Sequence, residues 1–265
     1  MKTFAIIVSV LAFTSCAADE NIIAAIAAHG GPFPGIDGGV RDSGNGGASG
    51  EAGSGGSAGS GCAAIFPLTL PANPRIMPLG DSITYGTGDQ TGGYRQDLWL
   101  ALPTVQPIGT QSTPLPMAPG KDRHEGHPGY GLPAMAVEFP TWVSQTGAPD
   151  AVLLHGGTND ISDSDFAADS VESIYRTLML INPRAILFVA TPIIRIQDAP
   201  ADWVALQLAQ DAAIAARMPS LPRAIAVPMP ALARSEMWDS FHPNDAGYLR
   251  MSNAWEAALA AIGVR

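Results

Sequence analysis

A chain of 265 residues, 46% of them hydrophobic, is long and apolar enough to bury a sizeable core, so at least one globular domain is required. A formal charge of −10, a pI near 4.7 and the lack of any basic block exclude nucleic acid as a partner, because phosphate binding draws its affinity from clustered Lys and Arg. The low charged fraction of 14%, with 29 Gly and 23 Pro, speaks against a helical bundle and suits a turn-rich extracellular protein.

At the amino terminus Lys2 precedes the apolar run Phe4 to Phe13 and then the small residues Ser15, Cys16 and Ala17, the layout of an export signal, and residues 1–18 are assigned to it. The run is too short for a spanning helix of about 20 residues. Cys16 resembles the acylated cysteine of bacterial lipoproteins, although Phe13 stands where such signals carry Leu. On that reading the signal ends before Cys16 and a lipid attaches the chain to a membrane. Cleavage near Ala17, Ala18 or Ala28 is the alternative and discards Cys16. If Cys16 persists without a lipid, a Cys16–Cys62 disulfide is open to it in an oxidising compartment. Export to the cell envelope or the medium is expected either way. Residues 19–62 read as a linker, since Gly30 to Gly61 is dominated by Gly, Ser and Ala and cannot bury enough apolar surface to offset chain entropy.

Past Cys62 the texture changes, and residues 63–265 form the expected domain. Short apolar runs bounded by Gly, Pro or Asp predict strands over Arg75–Gly80, Val105–Gly109, Ala151–His155, Ala185–Thr191 and Ala224–Pro228. Helical periods fall over Gly93–Leu102, Phe166–Ile181, Asp202–Arg217 and Asp245–Ile262, with stops at Pro183 and Pro219. Alternating strands and helices imply parallel strands with right-handed crossovers, hence a three-layer α/β/α sandwich around a mostly parallel five-stranded sheet. Ligand sites in such sheets lie at the carboxyl ends of the strands.

Polar groups gather just beyond those ends in LGDSITYG (79–86), GGTND (156–160) and DSFHPNDAGY (239–248), with DRHEGHPGY (122–130) in the Pro- and Gly-rich stretch between the second and third strands. Ser82 follows an apolar strand and can be presented at a strand-to-helix corner as a nucleophile, or it can simply cap the next helix. The G-x-S-x-G elbow is absent, because its second Gly would fall at Thr84. His242 is the candidate base, and Asp239, three residues earlier, can fold back to orient it. Otherwise these are turn and surface residues. Asn159 can point an amide at a developing oxyanion, and a backbone N–H at Gly126 or Gly129 can add another donor, although turn chemistry accounts for the same residues.

GDSIT (80–84), the glycine of HEGHPG (124–129), GTND (157–160) and DSFHP (239–243) together resemble, in order and spacing, the four blocks of the GDSL/SGNH hydrolases. The resemblance runs from Arg75 to the carboxyl terminus. MPLGDSITYGTG, GGYR, HEGHPGY and HPNDAGY are most similar to bacterial carbohydrate esterases of the acetylxylan esterase kind. It implies the flavodoxin-like SGNH fold and a serine esterase acting on O-acetyl groups of polysaccharides or oligosaccharides. Ser82, His242 and Asp239 would form the triad, and Ser82, Gly129 and Asn159 the oxyanion hole, with Gly126 as the alternative glycine. A lipase, arylesterase or thioesterase on the same machinery is the rival activity, and a surface lipoprotein with a decayed site the non-catalytic one. Gly156 before the GTND block and Phe241 beside the histidine depart from the family pattern and bear on subsite shape.

No cofactor is expected. His124, Glu125 and His127 lack the i, i+4 histidine pair that sets two metal ligands on one helical face, so no metal site is assigned to them. His155, ending an apolar strand, reads as a packed histidine bonded to backbone. Asp81 and Asp160 read as loop braces or turn residues. Tyr85, Tyr130 and Trp238 adjoin the site residues and are candidate contacts for a sugar face.

Overall fold

Apolar residues on both faces of a strand demand cover on both sides, and the strands Ala151–His155 and Ile186–Ala190 are buried at every residue. The computed structural model describes residues 67–89, 91–113, 117–161, 164–190 and 200–265. The expectations for the export signal, the linker, Cys16 and Cys62 lie outside the described residues. The elements in chain order are β1 (Arg75–Gly80), α1 (Ser82–Tyr85), α2 (Tyr94–Ala101), β2 (Gln106–Pro107), β3 (Gln111–Ser112), β4 (Arg123–Gly126), α3 (Leu132–Thr146), β5 (Ala151–His155), α4 (Ser164–Ile181), β6 (Ile186–Ala190), α5 (Ala201–Arg217), β7 (Ala224–Val227) and α6 (Asp245–Ala260). Short 3₁₀ turns lie at Met218–Ser220 and Arg234–Glu236.

The strands form one sheet in the order β3-β4-β1-β5-β6-β7, with β2 also paired to β1. All pairings are parallel except β3 with β4. Alternation along the strands separates two cores. Ile76, Leu153, Ile186 and Phe188 pack under α2 and α6 with Leu98, Met251 and Trp255. Met77, Leu79, Val152, Leu154, Leu187 and Val189 face α3, α4 and α5 through Met135, Phe139, Val171, Ile174 and Ile214. The result is the three-layer α/β/α sandwich that the alternation of elements predicts.

Among the described residues the expected count of five strands is corrected to seven. Its second strand, predicted over Val105–Gly109, is built in two pieces beside β1: β2 pairs with Arg75 and Ile76, and β4 pairs with Leu79 and Gly80. The chain leaves the sheet after Pro107 and returns through the antiparallel β3–β4 pair. Pro107 donates no ladder hydrogen bond, which favours an early exit.

Helix α3 has no counterpart among the predicted helices, and it carries two prolines, Pro133 and Pro140. Pro133 falls in the first turn, where its missing N–H costs nothing, and Pro140 is carried inside the helix. The start of α3 is fixed from outside, since Leu132 N–H donates to Asp160 Oδ2 at 2.8 Å while Gly131 at the N-cap offers no side chain.

Candidate active site

β1 ends at Gly80, where a Cβ would lie 2.2 Å from the His155 carbonyl oxygen and 2.3 Å from Thr84 Oγ1, so only glycine lets the strand turn this tightly. The cap of α1 is Asp81, whose Oδ1 accepts the Ile83 N–H at 2.9 Å. Capping is therefore done one residue before Ser82, and the Ser82 hydroxyl is left for another partner. That partner is His242, with Ser82 Oγ 2.8 Å from Nε2.

His242 sits in a loop closed at its base by the Trp238 N–H donating to the His242 carbonyl at 2.9 Å. Asp239 folds back inside the loop. Its Oδ1 accepts the N–H groups of Phe241 and His242 at 2.7 Å each, and its Oδ2 lies 2.8 Å from His242 Nδ1. These hydrogen bonds hold the Asp239 carboxyl below the usual range against the opposing effect of partial burial, which is the largest single influence and raises it. Asn244 caps α6 by accepting the Ala246 and Gly247 N–H groups. Two contacts seat this loop on the first block. A Cβ on Gly88 (φ +91°) would lie 2.7 Å from the Pro243 carbonyl, and Tyr248 Oη donates to the Thr87 carbonyl at 2.7 Å.

Asp81 is fully buried, and burial pushes its carboxyl up to about 6 against the lowering effect of the Ile83 N–H. Because the folded value lies above the unfolded one, this group favours folding below about pH 4 and loses that contribution as pH rises through about 6. Asp81→Asn keeps an amide oxygen for Ile83. It is expected to be more stable than the native protein by on the order of 2 to 3 kcal/mol at pH 7.5 and about equal to it near pH 3.5. Urea unfolding at the two pH values measures this, and equal stability at pH 7.5 would remove the argument.

Two glycines compete in the 122–130 segment, and the surroundings separate them. Gly126 N–H donates to His124 Nδ1 at 3.0 Å, and a Cβ there would strike the Tyr85 backbone nitrogen at 2.5 Å, so this residue is enclosed and its donor is used. Gly129 is exposed at φ +83°, with open space around it and no backbone acceptor for its N–H among the described residues. Asn159 is exposed on the neighbouring loop and donates one Nδ2 hydrogen to the Tyr130 carbonyl at 3.0 Å. The other hydrogen has no acceptor among the described residues.

Glu125 and His127 of this segment are committed within the protein. Glu125 is buried, accepts from Thr110 N–H at 2.7 Å and from Thr110 Oγ1 at 2.5 Å, and lies 2.7 Å from His127 Nε2. The His127 ring stacks on Trp142 at 4.3 Å and meets Tyr130 at 4.9 Å, while Tyr130 and Trp142 lie 6.2 Å apart. Tyr130, a candidate sugar contact, thus has one ring face covered by His127. His155 is buried as expected, which lowers its pKa to about 4, but neither ring nitrogen has a hydrogen-bond partner. The expected backbone contact is reduced to an interaction with its own main chain, which opposes that lowering. Its place at the end of β5, beside Gly80, is set by packing.

Around Ser82 the rim is aromatic. Tyr85, Phe241 and Trp238 are 40%, 50% and 60% exposed, and Phe241 meets Trp203 of α5 edge-on at 6.1 Å. Trp203 lies outside every motif, so only the fold reveals it.

Residues 79–250 match the GDSL-like Lipase/Acylhydrolase family. A multidomain esterase of Ruminococcus flavefaciens is 32% identical over 117 residues, covering 34% of this chain and 15% of that protein, so the chain spans a small part of that relative's length. Among solved structures, a carbohydrate esterase family 3 protein from Talaromyces cellulolyticus superposes with a TM-score of 0.59 at 21% identity, over 71% of this chain and 97% of that one. A family 3 carbohydrate esterase from Clostridium thermocellum gives 0.58 at 25% identity, over 71% and 98%. By the match over residues 79–250, the chain belongs to the GDSL-like lipase/acylhydrolase family, whose chemistry is the hydrolysis of carboxylic esters.

Proposed function

We propose that this protein is an exported serine esterase that removes O-acetyl groups from polysaccharides or oligosaccharides. The observation that carries the mechanism is the hydrogen-bonded relay from Ser82 Oγ through the His242 ring to Asp239. Asp239 holds the proton on Nδ1, so Nε2 presents a lone pair to the serine. Nε2 takes the Ser82 proton as Oγ bonds to the acyl carbon. The charge that develops on the carbonyl oxygen is met by the N–H groups of Ser82 and Gly129 and by Asn159 Nδ2. His242 then protonates the leaving alcohol, and the acyl group stays on Ser82. A water, deprotonated by His242, attacks that ester, and the acid departs as Oγ recovers its proton.

The exposed ring faces of Tyr85, Trp238 and Phe241 support a saccharide, since flat apolar surfaces beside hydrogen-bonding groups match the faces of a sugar ring. Acetate release from acetylated xylan, compared with hydrolysis of 4-nitrophenyl acetate, butyrate and octanoate, tests the substrate. Acetate release with preference for the shortest ester is expected. Preference for octanoate would replace the carbohydrate reading with a lipase.

Asn159→Ala removes a donor aimed at the oxyanion and is expected to lower kcat roughly 10² to 10³-fold with little change in KM. Steady-state kinetics on 4-nitrophenyl acetate reads this, and an effect confined to KM would move Asn159 from the oxyanion to ground-state binding.

A further inference from the structure

Arg95, of the run GGYR, is fully buried, and among the described residues no carboxylate lies within ion-pair reach of it. A buried guanidinium persists only if its donors are met. Here Nε donates to the Thr84 carbonyl at 2.9 Å, and Nη2 donates to the Tyr85 carbonyl at 3.1 Å and to Thr113 Oγ1 at 2.6 Å. The first two acceptors are the last carbonyls of α1, the element that carries Ser82.

The third acceptor leads to the other side of the site. Thr113 Oγ1 lies 3.1 Å from His124 Nε2, and His124 Nδ1 accepts the Gly126 N–H. That second bond assigns the tautomer: Nδ1 carries the lone pair, so Nε2 carries the hydrogen and donates to Thr113. The threonine oxygen therefore receives two hydrogens, one from Arg95 and one from His124. Burial, reinforced by the Arg95 charge, lowers the His124 pKa to about 2 and keeps the ring neutral. Gly126 is the last residue of β4, where the chain departs for Gly129.

We propose that Arg95 is a positioning residue which, through Thr113 and His124, fixes the spacing between the Ser82 turn and the Gly129 loop. The proposal rests on the reading of Ser82 as nucleophile. A lysine cannot replace the arginine, because one ammonium cannot span two carbonyls and a hydroxyl as the planar fork does.

The test is kcat and KM for 4-nitrophenyl acetate in the native protein, S82A, T113V, T113S and R95K, each assayed below its own thermal midpoint. T113V keeps the shape but leaves two buried donors without an acceptor. Displacement of the oxyanion donors is expected to lower kcat about 100-fold in T113V and R95K while KM stays within about threefold. T113S, which restores the hydroxyl, should return to within about threefold of native kcat. If either protein fails to fold, T113C, with a weaker acceptor of similar size, must show the same split at smaller amplitude.

Native kcat in T113V and R95K, an effect on KM alone, or an equal loss in T113S would overturn the brace. Native activity in S82A would instead overturn the nucleophile assignment, whatever the other variants show.

Discussion

Ser82→Ala is expected to lower turnover by roughly 10⁴-fold or more, with the folded state unchanged. The serine contributes no cap to α1, since Asp81 does that, and its hydroxyl meets only His242 among the described residues. Removing it deletes the acceptor of the acyl group and leaves the oxyanion donors in place. A residual rate above that in water should survive on those donors alone. The check is turnover of 4-nitrophenyl acetate together with mass spectrometry of enzyme quenched during turnover. The native protein should carry an acyl adduct on the peptide containing Ser82, and the variant none. Turnover within tenfold of native would overturn the acyl-enzyme mechanism.

Asp239→Asn should be almost as damaging, about 10⁴-fold in kcat, for a reason that lies in two atoms. Oδ1 accepts two backbone N–H groups, so an asparagine at this position keeps its amide oxygen there and turns its NH₂ toward His242 Nδ1. Donor then faces donor. The ring is driven to the tautomer that carries its hydrogen on Nε2, and Ser82 meets a hydrogen where it needs a lone pair. Because the loop keeps its backbone hydrogen bonds, KM and the thermal midpoint should stay close to native. A turnover within tenfold of native would mean that Asp239 acts only on loop structure.

Most of the scaffold was legible along the chain, and the exceptions have physical causes. β1, β5, β6 and β7 and helices α2, α4, α5 and α6 fall within a few residues of the apolar runs and helical periods that predict them. Their stabilising contacts repeat along the element itself, so a local pattern records them. Helix α3 escaped because Pro133 and Pro140 are breakers by local rule, and its cap is supplied by Asp160, 28 residues away. The split second strand escaped because β4 pairs with only two residues of β1.

The sequence by itself determined the proposed reacting groups. Asp239 and His242 are three residues apart, and a carboxylate and an imidazole that close can meet within one loop whatever surrounds them. Ser82 follows an apolar strand into a turn, which presents it at the carboxyl end of the sheet. Tertiary structure alone decided which groups are free to act. It placed the cap on Asp81 and left the Ser82 hydroxyl to His242. It used the Gly126 N–H on His124 and left that of Gly129 open. It set Phe241 against Trp203 and tied Arg95 to both sides of the site. Each of these outcomes depends on partners brought together by the fold or on donors that its packing has left over, and neither is written into a run of neighbouring residues.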